Sequence, residues 1–151
     1  MTASAHRSIT ITPKQARQIA ILLNTNKWNR PGIPYSAEEL LKDPQGYFLY
    51  TNQREEILGV AQLKKISWYL WELGRLAVHS NHRRKGIARS LVNAAEEYVV
   101  KNKGALMQAT VEPDNIASQN LLKTSGWFYT STFIHPYYKT PMQVLNKTIH
   151  P

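Results

Sequence analysis

One stretch constrains this chain more than any other. The strand-like run Trp71-Glu-Leu-Gly-Arg-Leu-Ala-Val78 passes directly into the basic turn His79-Ser-Asn-His-Arg-Arg-Lys-Gly86. Beyond it, Ile87, Leu91, Ala94, Ala95, Tyr98 and Val99 recur at helical spacing up to Lys103-Gly104. The first amides of a helix have no acceptor within it, and its dipole is positive at that end, so a strand, basic glycine turn and helix together make an anion-binding arrangement. Gly86 lets backbone approach an anion, Ala88 keeps the first turn uncluttered, and Arg83, Arg84, Lys85 and Arg89 add charge. Two plainer readings of these residues stay open: a solvated helix start, and a basic patch on nucleic acid. The spacing is neither that of a P-loop nor that of a dinucleotide fingerprint.

The rest of the chain supplies the scaffold. Ser8–Thr12 alternates as a strand, and Pro13 opens a helix carrying Ala16, Ile19, Ala20 and Leu23. Asn24–Tyr35 is an aromatic loop, and Ser36-Ala-Glu-Glu39 predicts a capping box for a short helix. Strands follow over Tyr47–Thr51, Ile57–Lys65 and Trp68–Val78. Past the long helix come a strand over Ala105–Val111, a helix over Ile116–Ser125 stopped by Gly126, and strands over Trp127–His135 and Met142–Ile149. With 151 residues and no repeat, one domain over 1–151 is expected, a mixed α+β sheet covered by helices. The absence of cysteine excludes a thiolate nucleophile, a Cys zinc site and an iron–sulfur cluster. No second acidic or histidine cluster accompanies His79 and His82, so no metal is expected. The formal charge of +9 calls for an anionic partner without naming it. No apolar run reaches the ~20 residues of a spanning helix, so no membrane partner is expected. Met1–Ser8 lacks an apolar signal core, which makes the cytoplasm the expected location.

Arg83-Arg84-Lys85-Gly86-Ile87-Ala88, behind Leu76-Ala77-Val78, resembles the Arg/Gln-x-x-Gly-x-Gly/Ala signature of the GNAT superfamily of acyl-CoA-dependent N-acyltransferases. Asn115-Ile-Ala-Ser118-Gln-Asn-Leu121 through Gly126-Trp127 resembles that family's second element. The resemblance implies a mixed, mostly antiparallel sheet of six to seven strands flanked by about four helices, with a V-shaped splay between the fourth and fifth strands. It implies acetyl-CoA as co-substrate, its pyrophosphate on the amides of Arg84, Lys85, Gly86, Ile87, Ala88 and Arg89 beside Arg83. It places the pantetheine along Leu76, Ala77 and Val78, with Asn115 and Ser118 on its far side. Both of these polar residues also suit helix capping.

Acyl transfer to an amine needs a neutral nitrogen, a donor for the oxyanion and a proton for the leaving thiolate. Glu72, four residues before Leu76, stands where several family members carry a general base; it also suits a strand carboxylate paired with Arg75 or Lys65. The family's usual acidic tyrosine is Leu122 here, so Tyr129, Tyr137 and Tyr138 become the candidate acids, with water or the product ammonium as alternatives. In this architecture the loop Asn24–Tyr35, the Trp68-Tyr69 region and Phe133–Thr140 border the acceptor side, and with Trp28, Tyr35, Tyr137, Tyr138 and few acids they suit an amine on an aromatic or apolar body. The expected activity is therefore N-acetylation of a small-molecule, peptide or protein amine by direct attack in a ternary complex, with a homodimer compatible. A non-catalytic acyl-CoA-binding regulator and, less favoured, a nucleic-acid-binding module are the rival readings.

Overall fold

Thr12 decides where the first helix starts. Its hydroxyl accepts from Gln15 N at 3.1 Å, and the Gln15 side chain accepts from Thr12 N at 2.9 Å, a reciprocal cap that opens α1 (Pro13–Thr25). This corrects the first strand expected from the sequence. Ser8 Oγ turns back onto Thr10 O at 2.7 Å, and β1 lies earlier, at Ser4–Ser8, paired antiparallel to β2 (Tyr47–Thr51) from Ser4↔Thr51 to Ser8↔Tyr47. The computed structural model describes residues 4–8, 10–26, 28, 30, 32–43 and 46–149.

Ser36 caps α2 (Ala37–Lys42) through Glu39 N at 3.1 Å, but the Glu39 carboxylate does not return the cap. Arg30 takes it with both terminal nitrogens, at 2.6 and 2.8 Å. The remaining elements are β3 (Ile57–Lys65), β4 (Leu70–Val78), α3 (Ile87–Lys101), β5 (Leu106–Val111), α4 (Ile116–Thr124), β6 (Phe128–Ile134) and β7 (Pro141–Thr148). The seven strands form one mixed sheet in the order β1-β2-β3-β4-β5-β7-β6. Pairing is antiparallel at β1–β2, β2–β3, β5–β7 and β6–β7, and parallel at β4–β5. That parallel ladder holds Leu70↔Leu106, Trp71↔Met107 and Glu72↔Gln108.

Contacts gather in two compact units, Met1–Lys64 with Arg75–Ala95, and Lys65–Gly74 with Glu96–Pro151. In the first, Ile19, Leu23, Leu40, Leu49 and Val60 are fully buried around Tyr47 and Ala77. In the second, Met107 and Leu145 are fully buried, and the Glu96 carboxylate pairs with Lys147, whose ammonium also donates to Ser125 O at 2.7 Å. Among the described residues no helix is long and apolar enough to cross a membrane.

Gly59 on β3 sets how closely α3 can approach the sheet. A Cβ there would stand 2.7 Å from Ile87 Cγ2 and 3.0 Å from Leu91 Cδ1, so its absence admits the first turn of α3. A Gly59→Val substitution should overpack this contact by about 1–3 kcal/mol, lowering Tm by roughly 2–12 °C for a chain of this size. A thermal melt checks it, and an unchanged Tm would mean that α3 shifts outward at no cost.

Candidate functional site

The turn between β4 and α3 combines special backbone conformations with a side-chain contact at its start. His79 N donates to Leu58 O at 2.7 Å, anchoring the strand end, and His79 Nδ1 accepts from Asn81 N at 3.1 Å. Arg83 is extended, Arg84 is left-handed at φ 62°, and Gly86 is left-handed at φ 79°. Left-handed residues at alternate positions are the backbone ingredient of an anion nest. Ser90 N donates to Gly86 O at 3.0 Å, so the amides of Gly86, Ile87 and Ala88 precede that helical bond and have no acceptor in the helix. A Cβ on Gly86 would meet nothing within 4 Å, so glycine is required by the dihedral and not by crowding. Arg83, Arg84, Lys85 and Arg89 are exposed around the turn while Ile87 is buried beneath it. The rings of His79 and His82 lie 5.4 Å apart, and among the described residues no three His, Cys, Asp or Glu side chains gather as a metal site.

Along β4, Ala77 is buried and Leu76 and Val78 are half-buried. Arg75 is left-handed inside the strand, at φ 48°, a conformation that costs an L-residue roughly 1–2 kcal/mol. Its guanidinium is held by the Asp43 carboxylate at 3.2 Å and by the Tyr47 hydroxyl at 2.7 Å. Tyr35 is buried in this unit, with Arg30 3.7 Å and Arg75 5.1 Å from its ring centre. Asn24 clamps its backbone from both sides, donating to Tyr35 O at 2.9 Å and accepting from Tyr35 N at 2.7 Å. Trp28 is half-buried nearby in sequence, its amide on Asn26 Oδ1 at 3.0 Å. The aromatic loop is thus tied to β4 through Tyr35, leaving Trp28 as its more open ring.

The other expected residues belong to the second unit. Glu72 is half-buried on β4 opposite Gln108. Among the described residues it forms no ion pair: Arg75 is engaged by Asp43, and Lys65 Nζ sits 5.9 Å from the Trp71 ring centre. Asn115 is buried and caps α4 by accepting from Ser118 N at 3.2 Å. Leu122 is buried on α4. The Tyr129 hydroxyl shares a hydrogen bond with Thr132 Oγ1 at 2.8 Å, Tyr137 is exposed, and the Tyr138 hydroxyl is buried without a protein partner. The sequence reading overlooked Glu112, just past β5. Burial raises its carboxyl above the usual carboxylate range, opposed by its own backbone amide, by the Asn115 side chain and by the charge of His135. The only signal for it was a carboxylate next to Pro113 at a strand end.

Compared with known proteins, residues 14–127 match the model of the acetyltransferase (GNAT) family. No curated protein sequence matches the chain. Among solved structures, Ard1 from Thermoplasma volcanium superposes with a TM-score of 0.82 at 15% identity over 98% of this chain and 99% of its own. A GNAT superfamily phosphinothricin acetyltransferase from Sinorhizobium meliloti, in complex with AcCoA, gives 0.78 at 14% over 99% and 89%. The ribosomal-protein-S18-alanine N-acetyltransferase from Escherichia coli gives 0.76 at 14% over 97% and 95%. At these identities the likeness is one of fold.

Two substitutions test the geometry. Arg75→Ala and Arg75→Gly both lose the Asp43 and Tyr47 bonds, but only Ala keeps the cost of left-handed backbone. Urea denaturation should place Arg75→Gly about 1 kcal/mol above Arg75→Ala; equal stabilities would mean an ordinary strand conformation at 75. For Glu112, a folded-state pKa raised by burial means that its stabilising contribution is full below the ordinary carboxylate pKa and is lost as pH rises through the raised value. Glu112→Gln should therefore raise Tm at neutral pH and flatten its fall from acidic to neutral pH. A variant that melts lower at neutral pH would show that the charged form is the favoured one.

Proposed function

The chain belongs to the acetyltransferase (GNAT) family, and from that premise we propose that it transfers the acetyl group of acetyl-CoA to a primary amine of a small molecule, peptide or protein. The observation that carries this reading is the turn at the head of α3, where Arg84 and Gly86 are left-handed and the amides of Gly86, Ile87 and Ala88 have no helical acceptor. A diphosphate supplies the acceptors those amides need, and the helix dipole and the exposed Arg83, Arg84, Lys85 and Arg89 favour its charge. In this reading the pantetheine runs back from the nest along Leu76–Val78, the part of β4 beyond the ladder with β5, using strand amides and carbonyls. Ser118 and Asn115 approach its far side, with the Asn115 side chain also holding the helix cap.

Attack joins the amine nitrogen to the thioester carbonyl carbon, and the resulting oxyanion is met by a backbone amide near Ala77 or Val78. Collapse breaks the carbon–sulfur bond and gives the amide and CoA thiolate. Glu72, which forms no ion pair among the described residues, takes the amine's proton directly or through water. The thiolate then needs a proton that Leu122 cannot give. Of the three tyrosines this reading favours Tyr138, whose hydroxyl makes no bond to protein and is shielded from water, whereas the Tyr129 hydroxyl is already bonded to Thr132. Trp28 forms an open aromatic wall for the acceptor, and Tyr35 fixes the loop that carries it.

Saturable thermal stabilisation by acetyl-CoA, together with thiol release in an amine panel, tests the activity. Gly86→Asp puts a carboxylate at the nest and should weaken acetyl-CoA binding at least about tenfold, whereas normal affinity would move the cofactor elsewhere. Glu72→Gln should lower kcat by about 10²–10⁴ and change the pH–rate profile while leaving acetyl-CoA affinity near normal. An unaltered profile removes Glu72 from proton transfer. Binding without thiol release for any amine would favour the regulatory reading motivated by Leu122.

A further inference from the structure

The turn from β3 to β4 departs from what a soluble turn normally exposes. Four residues, Ile66-Ser-Trp-Tyr69, connect the strands, closed by Ile66 N and Ser67 N on Leu70 O at 2.9 and 3.1 Å. Ile66 is 53% exposed, Trp68 78% and Tyr69 40%, with the Trp68 and Tyr69 rings edge to face at 5.1 Å. Such turns usually carry Gly, Asn, Asp or Ser, because the tip gains nothing from apolar groups left in water.

The surroundings of the tip are cationic. Ala105 N and Leu106 N both donate to Tyr69 O at 2.9 Å, which brings the end of α3 and its following turn alongside. Gly104 fits tightly against Trp71 and Val99, Lys65 Nζ lies 5.9 Å from the Trp71 ring centre, and Lys101 and Lys103 flank the same helix end, where Val100 is 45% exposed. No Asp or Glu occurs between Ile57 and Trp71 or between Tyr98 and Val111; Glu97, one helical turn before Lys101, is the nearest acid on α3. None of these residues belongs to the cofactor nest, and the acceptor wall proposed above rests on Trp28 rather than on Trp68 or Tyr69.

We infer that this tip is a peripheral docking surface for anionic membrane lipid, Trp68, Tyr69 and Ile66 entering the headgroup boundary while Lys65, Lys101 and Lys103 meet the lipid phosphates and carboxylates. Charge complementarity selects an anionic partner. The apolar part selects lipid over nucleic acid, because Ile66 and Val100 offer nothing for a base to stack on, whereas Trp and Tyr rings favour the membrane interface. Docking of this kind needs no spanning helix, and a few side chains with three lysines give reversible attachment.

Co-sedimentation of the full chain with phosphatidylcholine vesicles, with and without phosphatidylserine, tests it. Binding should require phosphatidylserine and weaken at high salt. Ile66→Ser with Trp68→Ser should reduce it about tenfold, and so should Lys65→Glu with Lys101→Glu, while stabilisation by acetyl-CoA stays unchanged. The inference is overturned if the protein ignores anionic vesicles, if it binds neutral ones equally, or if the serine variant binds as well as the wild type. It is also overturned if those substitutions instead abolish concentration-dependent dimerisation or binding to a single-stranded oligonucleotide with no vesicle binding present. Loss of acetyl-CoA stabilisation in the wild type would count against the acetyltransferase reading alone.

Discussion

Were a side chain present at position 59, its Cβ would stand 2.7 Å from Ile87 Cγ2, inside any real carbon–carbon contact. The close seating of Ile87 and Leu91 on β3 fixes the axis of α3, and with it the point where amides without a helical acceptor and the positive end of the dipole are presented. His79, bonded to Leu58 O at the end of β4, fixes the other side of the turn to the same strand. Both ends of a short loop are therefore referred to β3, and the intervening residues have little freedom left. The left-handed conformations of Arg84 and Gly86 are accommodated within that closure. A nest that is rigid before its ligand arrives loses less entropy on binding, which is why a backbone site suits a diphosphate found on many partners.

The second constraint lies inside β4. Arg75 sustains an unfavourable backbone conformation because two bonds to a guanidinium, one of them to a carboxylate, are each worth about 1–3 kcal/mol, more than the local cost. The same guanidinium faces Tyr35 at 5.1 Å, and Arg30, bidentate on Glu39, covers that ring at 3.7 Å. One buried tyrosine thus joins the loop between the first two helices to the strand that would carry the cofactor. Burial also raises the Tyr47 hydroxyl's pKa, with Arg75 opposing that shift, so the phenol remains a neutral donor and acceptor beside the guanidinium.

What the sequence disclosed depends on the range of the interactions involved. The cap at Ser36, the helix from Ile87 and the break at Pro113 arise from neighbours within four residues, so pattern alone located them. The first strand was misplaced because Ser8–Thr12 alternates convincingly, yet Thr12 gains more as a helix cap than as a strand end. Arg75 gave no signal at all: arginine has no preference for left-handed backbone, and its anchor, Asp43, lies 32 residues away. Asn115 could be read two ways from sequence, and its cap bond to Ser118 N shows why helix geometry and ligand contact are so hard to separate at a helix start. For Tyr35, the aromatic character was legible, but the two guanidiniums that enclose it were not.

The formal charge of +9 takes on a different meaning once its positions are known. A continuous basic stripe would argue for a polyanion such as nucleic acid, since affinity there grows with the number of phosphates neutralised along one track. Here one group of cations surrounds the turn after Val78, while another, Lys65, Lys101 and Lys103, surrounds an apolar tip just before Leu70. The first group surrounds amides without a helical acceptor and the second lies beside exposed rings, so each has its own local chemistry. Charge next to oriented amides favours a compact, multiply charged anion that the backbone can envelop. Charge next to apolar side chains favours a surface that is anionic outside and apolar beneath. A single excess of lysine and arginine therefore comprises groups in different local settings, and net charge alone could not have separated them.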